Sequence, residues 1–63
     1  MKALRKLDNY RMYKVDGYYE LWFGKYNDGV RVGYVSNPDN FLMACHEAEM
    51  EFMALEKEYE LYG

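Results

Sequence analysis

Apolar and polar residues alternate along the first half of the chain and change to a helical period in the second. Tyr10–Val15, Tyr18–Tyr26 and Val30–Ser36 are rich in Tyr, Val, Phe and Trp, the residue types that suit a pleated, half-buried surface. Asp16-Gly17 and Asn27-Asp28-Gly29 separate these runs. Asp-Gly and Asn-Gly types between alternating apolar residues are strong hairpin signals. The pattern predicts a three-stranded antiparallel meander over residues 10–36, preceded by a basic N-terminal arm or short turn at residues 1–9.

A two-residue turn at Asp16-Gly17 sets Val15 opposite Tyr18. One face of the first hairpin then carries Tyr10, Met12, Tyr19, Leu21 and Phe23 and is assigned to the core. The other carries Arg11, Tyr13, Val15, Tyr18, Glu20 and Trp22. The third strand has two possible registers. A two-residue second turn groups Val32 and Tyr34 with Phe23, and a bulged three-residue turn groups them with Trp22. A one-residue slip exchanges the faces, so the sequence leaves this strand open.

Asn37-Pro38-Asp39 reads as a helix start: a capping side chain, a proline at the first helical position and an acid at the positive end of the dipole. Nothing breaks the pattern before Gly63, which predicts a helix over residues 38–62. The expected fold is α+β, a three-stranded meander followed by one long C-terminal helix packed on one face of the sheet, in a single domain.

On a wheel of about 100° per residue, Phe41, Ala44, Cys45, Ala48, Phe52, Leu55, Tyr59 and Tyr62 share one arc, the stripe expected to lie on the sheet. A second apolar arc holds Leu42, Met43, His46, Met50, Met53, Ala54, Lys57 and Leu61, including three of the five methionines. Glutamates flank it: Glu49, Glu56 and Glu60 on one side, Glu47, Glu51 and Glu58 on the other. A surface helix ordinarily has one apolar stripe and a polar back. A second stripe that a small sheet cannot cover marks an interaction site, and methionine is over-used at adaptable binding surfaces. The second arc is the expected protein-binding face. Its competitor is a fold-back of residues 1–7 that brings Ala3, Leu4 and Leu7 over it.

Composition narrows the function. With 63 residues, the chain belongs to a size class that usually needs a disulfide, a metal or an oligomer to supplement its core. Its one cysteine forbids an internal disulfide. The neighbours Cys45 and His46 point apart on a helix, so they do not begin a metal site. Elimination leaves association, and a homodimer is expected.

Net charge is −3, unevenly spread. Residues 1–38 hold seven bases and four acids, a net +3, and residues 39–63 hold one base and seven acids, a net −6. The glutamates at 47, 49, 51, 56, 58 and 60 are solvated helix surface or a contact for a basic partner. Compact acidic proteins of this size include phage-encoded inhibitors of bacterial enzymes, anti-CRISPR proteins among them. Such a protein can present carboxylates where a nucleic-acid enzyme expects phosphates. This is an analogy of type and rests on no shared motif.

The residues give no nucleophile–base pair, metal cluster or glycine-rich phosphate loop, so no enzyme activity, cofactor, metal or small-molecule substrate is expected. Arg11, Tyr13, Tyr18 and Trp22 form a secondary contact surface. Interleaved with Lys14, Lys25 and Arg31, they also give the alternative reading, a nucleic-acid-binding module that stacks bases and holds phosphates. No apolar run approaches a membrane span. The basic start MKALRKL lacks the apolar stretch of a signal peptide, and the sequence reads as a complete short reading frame. A lone thiol suits a reducing cytoplasm.

Overall fold

A computed structural model describes residues 1–36 and 39–62, the last four of these as helix backbone only. Four strands precede one helix: β1 (Arg5–Leu7), β2 (Tyr10–Val15), β3 (Tyr18–Phe23), β4 (Val30–Val35) and α1 (Phe41–Tyr62). The strands form an antiparallel sheet in the order β1-β2-β3-β4. The α+β class and the helix packed on the sheet stand as expected, but the sheet has four strands rather than three.

The additional strand comes from the segment expected to be an arm or turn. Leu7 pairs with Tyr10 across Asp8-Asn9, so Arg5 faces Met12 and Lys6 faces Arg11. Asp8 adopts a φ of 54°, the left-handed conformation that Asp tolerates better than most residues. β1 spans three residues, too few to show an alternating period, and its turn lacks the glycine that marks the next one.

The β2–β3 register matches the expectation, with Val15 opposite Tyr18 and Tyr10 opposite Phe23. Gly17 supplies the positive φ of that turn, at 78°. β3 stops at Phe23, short of the expected Tyr26. Gly24 turns the chain away at a φ of 94° and Asn27 follows at 66°, while the Lys25 carbonyl accepts hydrogen bonds from the Asp28 and Gly29 amides at 3.0 and 2.8 Å. The connection is therefore residues 24–29. Gly29 is required there, because a Cβ would sit 2.1 Å from the Phe23 carbonyl oxygen.

A bulge settles the register of β4. Leu21 faces Gly33 and Trp22 faces Arg31, with the shift between them leaving Val32 as the extra residue. A bulge places two residues against one. It separates the two residues whose placement was open: Val32 packs against the core, and Tyr34, opposite Glu20, points to the outer face.

The core lies between the sheet and the helix. Tyr10, Met12, Tyr19, Leu21 and Val35 meet Ala44, Cys45, Ala48 and Phe52, all buried, with Leu4, Leu7, Val32 and Leu55 packed around them. The Phe52 ring stacks on Tyr10 at 5.5 Å, and Tyr10 meets the edge of Phe23 at 5.2 Å. Phe23, expected in the core, is 44% exposed. It is the last residue of β3 and joins the core only through that edge contact. Phe41 is likewise exposed, lying beside Tyr19 and under the Arg5 guanidinium.

The helix starts later than expected. Asn40 caps it: its side-chain oxygen accepts the Met43 amide at 3.1 Å and its carbonyl accepts the Ala44 amide at 3.0 Å. The capping role assigned to Asn37 and Pro38 falls on residues outside those described, while Asp39 precedes the helix as a turn residue. Removing a capping side chain costs about 1 kcal/mol. Asn40→Ala is therefore expected to lower unfolding free energy by about that amount in a urea titration, and Asn37→Ala by clearly less. The reverse order would return the cap to Asn37.

Candidate protein-binding faces

The two arcs of α1 separate as their spacing requires. Ala44, Cys45, Ala48 and Phe52 turn inward. Leu42 (73% exposed), Met43, His46, Met50 (55%), Met53 (53%), Ala54 and Lys57 turn outward. These fractions matter because half or more of Leu42, Met50 and Met53 remains in water. The side chain of Leu61, which completes the expected face, lies outside those described, as do Tyr59, Glu60 and Tyr62.

The N-terminal segment does not cover this face. As β1 it extends the sheet, and Leu4 and Leu7 pack against the core cluster. The Leu4 amide donates to the Met12 carbonyl at 2.8 Å, which holds residue 4 along the sheet edge. Leu7 reaches only the margin of the outward face, where it lines a shallow hollow with Met53, Glu56 and Lys57.

Of the flanking acids, Glu47, Glu51 and Glu58 are exposed. Glu49 lies 3.7 Å from the Arg5 guanidinium, a solvated pair of the kind that contributes little to stability. Glu56 is half-buried, and the side chain of Glu60 is not among those described. The glutamates therefore do not form a uniform row: one is tied to β1 and one is drawn toward the sheet.

The outer face of the sheet is a second surface. Lys6, Arg11, Trp22 and Arg31 form one row across all four strands. Tyr13, Glu20 and Tyr34 form the next. The 24–29 connection folds over this face, setting the Tyr26 ring 5.5 Å from Tyr13 and 5.2 Å from Trp22. Of the four residues expected to make the secondary surface, Tyr13 is thereby buried, while Arg11, Tyr18 and Trp22 stay half-buried.

Glu20 organises the middle of this face. Its carboxylate accepts hydrogen bonds from the Tyr18 hydroxyl at 2.8 Å, the Trp22 indole N–H at 3.2 Å and the Arg31 guanidinium at 3.1 Å. Its side chain is only 8% exposed. Donation by Tyr18, with help from Trp22 and Arg31, holds the Glu20 carboxyl below its ordinary value despite burial, which opposes the shift. The same contact pushes the Tyr18 hydroxyl upward. Of these residues, Arg31 figures in the sequence only as one cation of the nucleic-acid reading, and Glu20, Tyr26 and Lys6 are not among the expected site residues. Glu20 reads there as one polar residue of an alternating strand, and the position of Lys6 depends on β1.

Cys45 is a buried free thiol and His46 is exposed. Among the described residues no three His, Cys, Asp or Glu side chains converge as metal ligands, and no helix is long and apolar enough to cross a membrane. No protein-family model, curated protein or solved structure matches the chain.

The Glu20 contacts set a pH dependence. A carboxyl whose folded value is depressed contributes stability above its unfolded value, about 4.3 for Glu. That contribution disappears as pH falls through the lower folded value. Wild-type unfolding free energy is expected to drop more steeply below about pH 4.3 than that of Glu20→Gln. Parallel acid limbs in urea titrations of the two proteins would show that the network carries no such linkage.

Proposed function

We propose that this chain works by binding another protein chain through the outward face of α1, and that its partner in the first instance is a second copy of itself. The observation that carries the reading is the exposure of Leu42, Met43, Met50 and Met53 along one helix flank, while the N-terminal residues are engaged in the sheet. A contiguous apolar strip rimmed by charge is characteristic of an interaction site. The reading requires no enzymatic step, cofactor or metal.

Two-fold symmetry constrains how such a face meets itself, because residue i must contact j and j must contact i. Positions 42 and 61, 46 and 57, and 50 and 53 are each disposed about the same midpoint, so an antiparallel crossing sets Met50 against Met53 of the partner subunit. His46 then approaches the partner's Lys57. Each methionine removed from water contributes roughly 1.5–3 kcal/mol. Flanking glutamates oppose the contact by only a few tenths of a kcal/mol per pair, so the apolar term prevails and salt tightens the pairing slightly.

A second form of the same reading docks the acidic helix on a larger protein with a basic groove. The exposed Glu47, Glu51 and Glu58 favour it, since carboxylates on a rigid helix can stand in for phosphates. A phage-type inhibitor or adaptor directed at a nucleic-acid-handling enzyme fits this form.

Light scattering on purified protein separates the two forms. The homodimer form predicts twice the chain mass at high micromolar concentration and a single-chain mass for the Met50→Glu, Met53→Glu double variant. A wild type that remains a single chain at that concentration would contradict self-association through this face.

A further inference from the structure

The outer face of the sheet carries a charge arrangement that the helix-face reading does not use. Lys6 of β1 stands directly opposite Arg11 of β2, and like charges directly opposite each other destabilise a sheet. Among the described residues neither Lys6, Arg11 nor Lys25 has an ion-pair partner within 4 Å. The Arg11 Nε is buried without a hydrogen-bond acceptor. All three cations line one hollow of about 400 Å³ beside the rings of Tyr13 and Tyr26, in which the single acid is Asp28. Most of the negative charge of the protein is on α1, across the sheet.

From this face we infer a second binding site, one for the phosphate backbone of single-stranded nucleic acid. Lys6, Arg11 and Lys25 hold the phosphates, and Tyr26 offers a ring on which a base stacks. Three features select this ligand over a lone anion. The cations lie beside aromatic rings, the combination that single-strand binders use. Lys6, Arg11 and Lys25 come from β1, β2 and the 24–29 connection, so the free charge is spread along the hollow rather than held at a point. Arg31 is already neutralised by Glu20, so the free positive charge concentrates at the β1–β2 side, where the hollow lies. A bound phosphate would offset the Lys6–Arg11 repulsion.

The site is tested by titrating the full chain, labelled with nitrogen-15, with an oligothymidylate of about fifteen residues. Parallel titrations use inorganic phosphate and dilution of the protein alone. Expected are amide shifts at Lys6, Arg11, Lys25 and Tyr26 with α1 unmoved, together with quenching of Trp22, whose ring touches Tyr26. Three phosphate contacts give a log–log salt slope of roughly −2. Arg11→Gln should weaken binding about tenfold and make the slope shallower, whereas Lys14→Gln, the same charge change at an exposed residue outside the hollow, should leave it near wild type. Mapping on the wild type keeps the result decisive even if a variant folds poorly. Absence of binding at high micromolar oligonucleotide would overturn the inference, as would shifts confined to α1 or equal losses from Lys14→Gln. Reproduction of the shifts by inorganic phosphate at the same concentration would overturn the nucleic-acid assignment. Shifts at Lys6, Arg11, Lys25 and Tyr26 produced by dilution alone would give the face to the acidic helix of another copy and overturn it as well.

Discussion

The structure depends on one contact, the seam where α1 lies across the sheet. Ala44, Cys45 and Ala48 are small enough to bring the helix backbone down onto Met12, Tyr19 and Leu21, and Phe52 fills the remaining space against Tyr10. A two-layer fold of one helix on one sheet has a single buried seam, and each layer keeps an outer surface. In a chain this short there is no third layer to cover either one. The exposed methionine flank of the helix and the aromatic, basic back of the sheet therefore follow from the architecture. The question for function is what each surface meets.

Charge distinguishes the two surfaces. Six of the seven glutamates lie on the helix, whereas Lys6, Arg11 and Lys25, without an ion-pair partner among the described residues, gather at the back of the sheet. Segregation of this kind is invisible in the net charge of −3, which describes neither face. It is compatible with a protein that pairs through its helix and keeps its sheet free for an anionic chain. The Glu20 network at the centre of the sheet's back neutralises Arg31 and holds Trp22 and Tyr18 in place. It concentrates the remaining positive charge at one margin.

Much of this arrangement was legible in the order of residues, and the failures are specific. Alternation and the Asp-Gly turn defined β2 and β3 in their observed register, and the three-four spacing of Cys45, Ala48, Phe52 and Leu55 defined the seam. β1 was hidden because three residues cannot display a period and Asp8-Asn9 carries no glycine. The helix begins at Phe41, three residues after the start that Asn37-Pro38-Asp39 suggests, and Asn40, a less conspicuous asparagine, makes the observed capping bonds. The bulge at Val32 was not legible because alternation groups Val32 with Tyr34 in either register, whereas the observed register breaks between Leu21 and Trp22 and separates them. Of the candidate site, the outward helix arc was readable because helical period alone defines it. The cation cluster was readable only in part: Arg11 and Lys25 belong to the basic, aromatic meander, whereas Lys6 joins them only once β1 is in the sheet.

The five methionines offer the most direct test of the central claim, that the outward helix face is a contact surface and the seam is the core. Met12 is fully buried in the seam, whereas Met43, Met50 and Met53 are exposed on the helix. With carbon-13 on the methionine methyl groups, the account predicts that the Met43, Met50 and Met53 signals shift together as the protein is diluted from millimolar to low micromolar, while Met12 stays fixed. Methyl signals that do not respond to dilution, or a Met12 signal that moves with the others, would contradict it.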